Sequence, residues 1–176
     1  MVIWIIGMHG SGKTTVGRAL YQELRQEHPN VIFLNGGDIR AVMGDDLGHG
    51  VEDRLISAGR VSRLCRYLSA EGMHVICAVQ SPFHATQEWN REHINDYFEI
   101  YLRTSFETRL RRDHQNLYRQ ALHGTVRNVV GVDIEFVPPA HSDLVIDNDQ
   151  DLDDVTPLVH LIKGRLPLKV TAPAGR

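Results

Sequence analysis

Near the amino terminus, Gly7-Met8-His9-Gly10-Ser11-Gly12-Lys13-Thr14 matches the pattern G-x-x-x-x-G-K-[ST] in full. Each fixed type has a chemical reason. Glycines let backbone N–H groups close on phosphate oxygens without a Cβ in the way. A helix opening at Lys13 directs its positive end at the same anion. Lys13 can reach the β- and γ-phosphates, and the Thr14 hydroxyl can take a position on Mg²⁺. Gly10, Ser11, Gly12, Lys13, Thr14 and Thr15 are therefore the expected ATP-binding residues, with Lys13 acting on the transferring phosphoryl group. The N-K-x-D motif with which GTPases read guanine is absent. The apolar run Val75 to Val79 ends in Gln80-Ser81-Pro82-Phe83, not in the acid that motor and transport ATPases carry there. With an arginine-rich segment in a compact chain, the expected chemistry is transfer of a γ-phosphoryl group to a small hydroxyl-bearing acceptor. Arg109, Arg111 and Arg112 lie on a predicted helix that could close over the phosphates.

The elements that must hold this loop are legible around it. Val2 to Ile6 is apolar without alternation, the pattern of a strand buried on both faces. A helix is expected from about Lys13 to Glu27, with Val16, Ala19, Leu20 and Leu24 at helical spacing. Further strands are predicted at Val31 to Leu34, Val75 to Val79, Phe98 to Leu102 and Leu144 to Ile146. A long helix over about 52–70 should turn Ile56, Val61, Leu64, Cys65 and Leu68 inward. Thr156-Pro157 reads as the cap and first residue of a last helix through Ile162. Short strands alternating with helices predict an α/β domain, a parallel sheet of about five strands with helices on both faces. The domain is expected over residues 1–165, with 166–176 as a mobile tail.

The 176 residues are 42% hydrophobic and 23% charged, with a net charge of −3, which gives no broad basic field for nucleic acid. No apolar run approaches the ~20 residues that cross a bilayer. Cys65 and Cys77 stand in apolar runs away from metal-ligand spacing, so buried, reduced thiols and a cytoplasmic setting are expected.

The order of motifs resembles the adenylylsulfate (APS) kinase family over about residues 1–148. Leu34-Asn35-Gly36-Gly37-Asp38-Ile39-Arg40 takes the place of the family's L-D-G-D-x-x-R. Asp46-Leu47-Gly48 matches D-L-G, Asp53-Arg54 matches D-R, and Ser81-Pro82-Phe83 matches S-P-[FY]. Arg112-Asp113 with Leu117-Tyr118 and Ala121 matches R-D-x-K-G-L-Y-x-x-A, and Gly131-Val132-Asp133 matches G-I-D. The resemblance implies a kinase that phosphorylates the ribose 3′-hydroxyl of adenylylsulfate, with ATP and Mg²⁺, and a homodimer. It implies that Arg109 and Arg112 lie near ATP and that Arg40 and Arg54 meet the acceptor's anionic groups. Ser81 and Phe83 would line the acceptor pocket, with Asn35, Ser57, Gln115, Asn116 and Leu117 at matching motif places.

Departures gather at the acceptor side. Asn35 and Gly37 replace the two motif aspartates, leaving Asp38 one position late as the candidate carboxylate for metal or hydroxyl. An amide cannot take a hydroxyl proton. The two phenylalanines that clasp adenine in the family are His49 and Val129 here. Such changes leave ATP use intact and open the acceptor. Adenylylsulfate stands first, and cytidine diphosphoramidate, the acceptor of a related kinase in capsular polysaccharide decoration, is the alternative. A gluconate- or shikimate-type sugar kinase fits the D-L-G and R-D…L-Y matches poorly. A nucleotide-sensing module would show no ATP turnover.

Overall fold

The computed structural model describes residues 1–44, 46–150 and 154–168. Strand β1 (Val2–Ile6) is the centre of the molecule, and its five side chains are all buried. They divide by the pleat. Ile3 and Ile5 enter one core layer with Val16, Leu20, Ile100, Leu102 and Ile162. Val2, Trp4 and Ile6 enter the opposite layer with Leu34, Val61, Cys65, Val75 and Cys77. A strand with no polar face must be covered on both sides, as its sequence implies. Each fully buried aliphatic of this kind contributes about 1.5–3 kcal/mol.

Four parallel neighbours complete the sheet: β2 (Val31–Asn35), β3 (His74–Val79), β4 (Tyr97–Arg103) and β5 (Leu144–Asp147), in the order β2-β3-β1-β4-β5. β1 pairs Val2 with Val75 of β3 and with Tyr97 of β4. Helix α1 (Lys13–Leu24) follows β1. Helices α2 (Gly36–Val42) and α3 (Val51–Ala70) follow β2. The series closes with α4 (His84–His93), α5 (Phe106–Arg111), α6 (Leu117–Leu122) and α7 (Thr156–Lys163). Among the described residues, no helix is long and apolar enough to cross a membrane. Cys65 and Cys77 are buried free thiols.

Four expectations change in detail. Helix α1 stops at Leu24, where the N–H groups of Glu27 and His28 turn back to its carbonyl and leave Arg25-Gln26-Glu27 as a turn. On α3, Val61 and Cys65 are buried, but Ile56 is 44% exposed. The last helix is held by Asp154, whose carboxylate accepts from the N–H and hydroxyl of Thr156, with Val155 at the cap position. Leu166 is buried and Leu168 packs against the core, so packing runs past residue 165, while residues 169–176 of the expected tail lie outside the described residues.

At the end of the sheet far from the loop, the His28 and His74 rings meet edge to face at 5.2 Å, and Nδ1 of His74 is buried without a partner. Burial holds the His74 imidazole below its ordinary value, the amino terminus and His28 add to the effect, and Asp96 opposes it. A base whose folded pKa is depressed stabilises the fold above its unfolded value of about 6.5, and that contribution is lost as pH falls below it. The melting-temperature advantage of wild type over His74→Leu should therefore shrink between pH 7.5 and 5.5. A constant difference across that range would show that His74 does not titrate against folding.

Candidate active site

The loop between β1 and α1 folds as the glycine pattern requires. Gly10 and Gly12 sit at φ +76° and +87°, a region that L side chains rarely enter. A Cβ on Gly10 would lie 3.0 Å from the carbonyl oxygen of Arg109 and 3.3 Å from its Cα, both backbone atoms that cannot swing away. Gly10→Ala should cost about 1–3 kcal/mol and push the loop off α5. It would be seen as a lower melting temperature together with a raised KM for ATP. Unchanged values of both would remove the constraint.

Lys13 reaches back across the loop, its Nζ donating to the carbonyl of Met8 at 2.6 Å and lying 3.5 Å from Ser11 Oγ. Burial, reinforced by nearby Arg109, pushes this ammonium down from 10.5 to about 7. Its partners are a carbonyl and a hydroxyl, so the charge is held without a compensating anion. A phosphate in the loop would supply one.

Beside the loop, at the carboxyl ends of β2 and β3, lies a cavity of about 550 Å³, the size of a small-ligand site. Loops at the carboxyl ends of parallel strands are where such folds place ligands. Its lining gathers Lys13, Thr14, Asn35, Arg40, His49, Arg54, Ser57, Ser81, Gln115 and Leu117 from the sequence-based candidates. Val129 joins them, as do four residues that no motif singled out: His9, Gln80, Arg127 and Asn128. Lys13, Arg40, Arg54 and Arg127 make the lining cationic, and among the described residues it includes no Asp or Glu. In a chain of net charge −3, this is a local concentration of positive charge against the overall sign.

Arg54 joins the far parts of the cavity. Its Nε donates to the His49 carbonyl at 2.8 Å, Nη1 to Gln80 Oε1 at 3.0 Å, and Nη2 to the Asn128 carbonyl at 2.9 Å. Arg40 donates to the carbonyls of Leu47 and Gly48. Burial lowers the Arg54 pKa, and the charge of Arg40 close by lowers it further. Two guanidiniums brought together in this way favour an anion between or beside them.

The local structure also explains several motif positions. Asn35 is the N-cap of α2 and accepts from the Gly37 N–H at 3.2 Å. Asp38 stands exposed in the first turn of α2, 3.4 Å from Asn35 Nδ2, and is outside the cavity lining. A Cβ at Gly48 would meet Asp53 Oδ2 at 2.6 Å, so the glycine of D-L-G makes room for the aspartate of D-R. Asp133 takes the backbone N–H groups of Asn128 and Val129, fixing the turn that carries Arg127 and Asn128 to the cavity.

Other candidates fall elsewhere. Arg109 is a buried residue of α5, donating to Tyr118 Oη at 3.1 Å, and faces a second cavity with Met8, Thr104 and Gly131. Arg112 spans from α5 to the loop after β5, donating to the carbonyls of Asn148 and Gln150 at 2.9 and 2.8 Å. Asn148 in turn donates to the Ser11 carbonyl, tying that loop to the phosphate loop. Phe83 caps α4, and Asn116 caps α6 at φ 55°; neither lines the cavity. Ser11 is buried in the loop, and Thr15 is exposed on α1.

A five-stranded parallel sheet, a complete phosphate loop and a cationic acceptor-sized cavity beside it define a P-loop kinase. The adenylylsulphate kinase family model matches residues 1–147, and the chain belongs to that family. It is 38% identical over 147 residues to a cytidine diphosphoramidate kinase of Campylobacter jejuni, covering 84% of this chain and 85% of that one. It is 36% identical over 149 residues to a probable adenylyl-sulfate kinase of Archaeoglobus fulgidus, covering 85% and 96%. The fold matches that of an APS kinase of Mycobacterium tuberculosis solved with AMPPNP and APS, at TM-score 0.85 and 24% identity over 93% and 95% of the chains.

Proposed function

We propose that the chain transfers the γ-phosphoryl group of ATP to the ribose 3′-hydroxyl of a cytidine nucleotide of the diphosphoramidate type. The cationic cavity, with no carboxylate among its described lining residues, carries the reading, because both a nucleoside triphosphate and a doubly phosphorylated acceptor need that charge. Lys13 acts on the β- and γ-phosphates, and the loop N–H groups from Gly10 to Thr15 hold them. Arg112, bonded at the loop after β5, stands at the nucleotide side with Arg109 behind it. Arg54 and Arg40 meet the acceptor's anionic groups, and Ser57, Ser81, Gln115 and Leu117 surround it.

Among the described residues, no group of three His, Cys, Asp or Glu could hold a metal unaided. The Thr14 hydroxyl fits a Mg²⁺ carried mainly by nucleotide phosphates and water. That ion would neutralise charge on the phosphates, and Asp38 could reach it only by moving toward the cavity.

The base is what separates the two acceptors. His49 is exposed at the mouth of the cavity and Val129 is buried in its wall, 5% exposed, so no pair of aromatic faces clasps a purine. Stacking contributes roughly 1–3 kcal/mol per base, a loss that a smaller pyrimidine feels less. Adenylylsulfate remains as a second reading, favoured by the family model and by the adenylyl-sulfate kinases among the relatives.

Steady-state kinetics with ATP and each acceptor test the choice. A kcat/KM higher for cytidine diphosphoramidate is expected, and efficient turnover of adenylylsulfate alone would reverse it. His49→Phe with Val129→Phe should shift the ratio toward adenylylsulfate by about tenfold. His49→Phe alone should give part of that shift, since a ring at buried Val129 must displace its neighbours.

A further inference from the structure

The cavity presents a problem in proton chemistry. Among the described residues its lining contains no carboxylate, Asn35 is committed to capping α2, and Asp38 lies outside. The third residue of the phosphate loop, His9, does line it, beside Lys13 and Thr14. Its Nε2 lies 3.3 Å from Asp113 Oδ1, whose side chain is fully buried. That carboxylate is itself fixed by the N–H groups of Leu117 and Tyr118 at 2.9 and 2.8 Å. Tyr118 completes the clamp, its ring edge-on to the imidazole at 5.7 Å and its hydroxyl donating to the His9 carbonyl at 3.0 Å.

An ionised carboxylate only accepts hydrogen bonds, so the proton of a neutral His9 ring belongs on Nε2 and the lone pair on Nδ1. No protein group bonds Nδ1 among the described residues, and the ring is 28% exposed. We propose that His9, oriented by Asp113, is the proton acceptor for the acceptor hydroxyl, the role that Asn35 cannot fill. The proposal rests on phosphoryl transfer to a hydroxyl, as set out above. The hydroxyl oxygen bonds the γ-phosphorus, and the bond from that phosphorus to the β,γ-bridging oxygen breaks. The hydroxyl proton passes to Nδ1, ADP leaves, and the imidazolium returns its proton to solvent.

The groups facing His9 suit that role. Burial holds its pKa below the ordinary 6.5; Asp113 opposes the shift and Lys13 reinforces it. The ring is thus neutral and able to accept a proton at pH 7. His49, the other imidazole in the lining, stands exposed.

His9→Gln keeps a neutral donor toward Asp113 and removes the basic nitrogen. It should lower kcat by about tenfold to a hundredfold while leaving the Kd for ATP within threefold. Wild type should show a fall in log kcat as the pH drops below the ordinary imidazole range, and that fall should be absent in the variant. In His9→Ala, which opens space at the same position, added imidazole should restore part of kcat. Three results would overturn the proposal: kcat within threefold of wild type, a lowered kcat with the acidic limb unchanged in His9→Gln, or no rescue by imidazole. Failure of wild type itself to phosphorylate any nucleotide acceptor would instead strike the proposed function.

Discussion

Replacing Lys13 by alanine should reduce kcat by about a thousandfold or more while the folded structure and its melting temperature survive. The expected size follows from where the charge sits. The Lys13 ammonium, on a half-buried side chain, is bonded to the Met8 carbonyl, and its pKa is pushed to about 7 with no anion beside it among the described residues. Charge placed before the reaction in a water-poor site acts on the developing charge without reorganisation, and loss of one such donor costs about 10²–10³ in rate. Phosphoryl transfer leans on this effect more than most reactions. The same burial makes the lysine a cost to folding. Its folded pKa is below the unfolded value near 10.5, so at neutral pH the alanine variant should be at least as stable as wild type. Circular dichroism and thermal unfolding beside steady-state kinetics separate the two effects. Activity lost only in proportion to folded protein would place Lys13 in the scaffold, not in the chemistry.

Arg54 should give the second large effect, and on a different kinetic constant. Its three nitrogens bond the His49 carbonyl, Gln80 Oε1 and the Asn128 carbonyl, joining three loops that come from distant parts of the chain. Arg54→Leu removes a cation from the acceptor side and releases those loops. Hydrogen bonds to charged groups are worth about 1.5–3 kcal/mol, so acceptor KM should rise about 10- to 100-fold. The KM for ATP should change by less than threefold, because the phosphate loop is made by other residues. Arg54→Lys should recover little, since an ammonium on a flexible stem cannot span three acceptors in fixed directions. A parallel rise in both KM values would mean that Arg54 supports the whole site and not the acceptor alone.

How far the sequence reveals this site depends on whether a residue acts locally. The phosphate loop is local: glycine at fixed spacing, a buried strand before it and a helix after it specify its shape. The strand assignments hold for the same reason, since β1 has no polar face to leave uncovered. Reading fails where distant segments meet. Gln80, Arg127 and Asn128 reach the cavity because Asp133 fixes one turn and Arg54 gathers the loops, and no spacing along the chain encodes that. Asn35 shows the converse. Matched to a motif it looks like a lost carboxylate, whereas locally it caps α2, a role that asparagine fills well. Arg109 looks like a mobile cation on a lid helix, yet it is buried against Tyr118 and faces the other side of the loop. Ile56 has helical spacing yet stays largely exposed, since spacing along one helix does not say which neighbour will cover each turn.

The central claim is that the γ-phosphoryl group of ATP ends on a nucleotide hydroxyl, and phosphorus NMR of the reaction mixture observes this directly. With ATP, Mg²⁺ and cytidine diphosphoramidate, a new phosphomonoester resonance should grow in step with ADP, coupled to the ribose 3′ proton. It should grow more slowly, or not at all, with adenylylsulfate. ADP accompanied only by inorganic phosphate, or no ADP with either acceptor, would contradict the account.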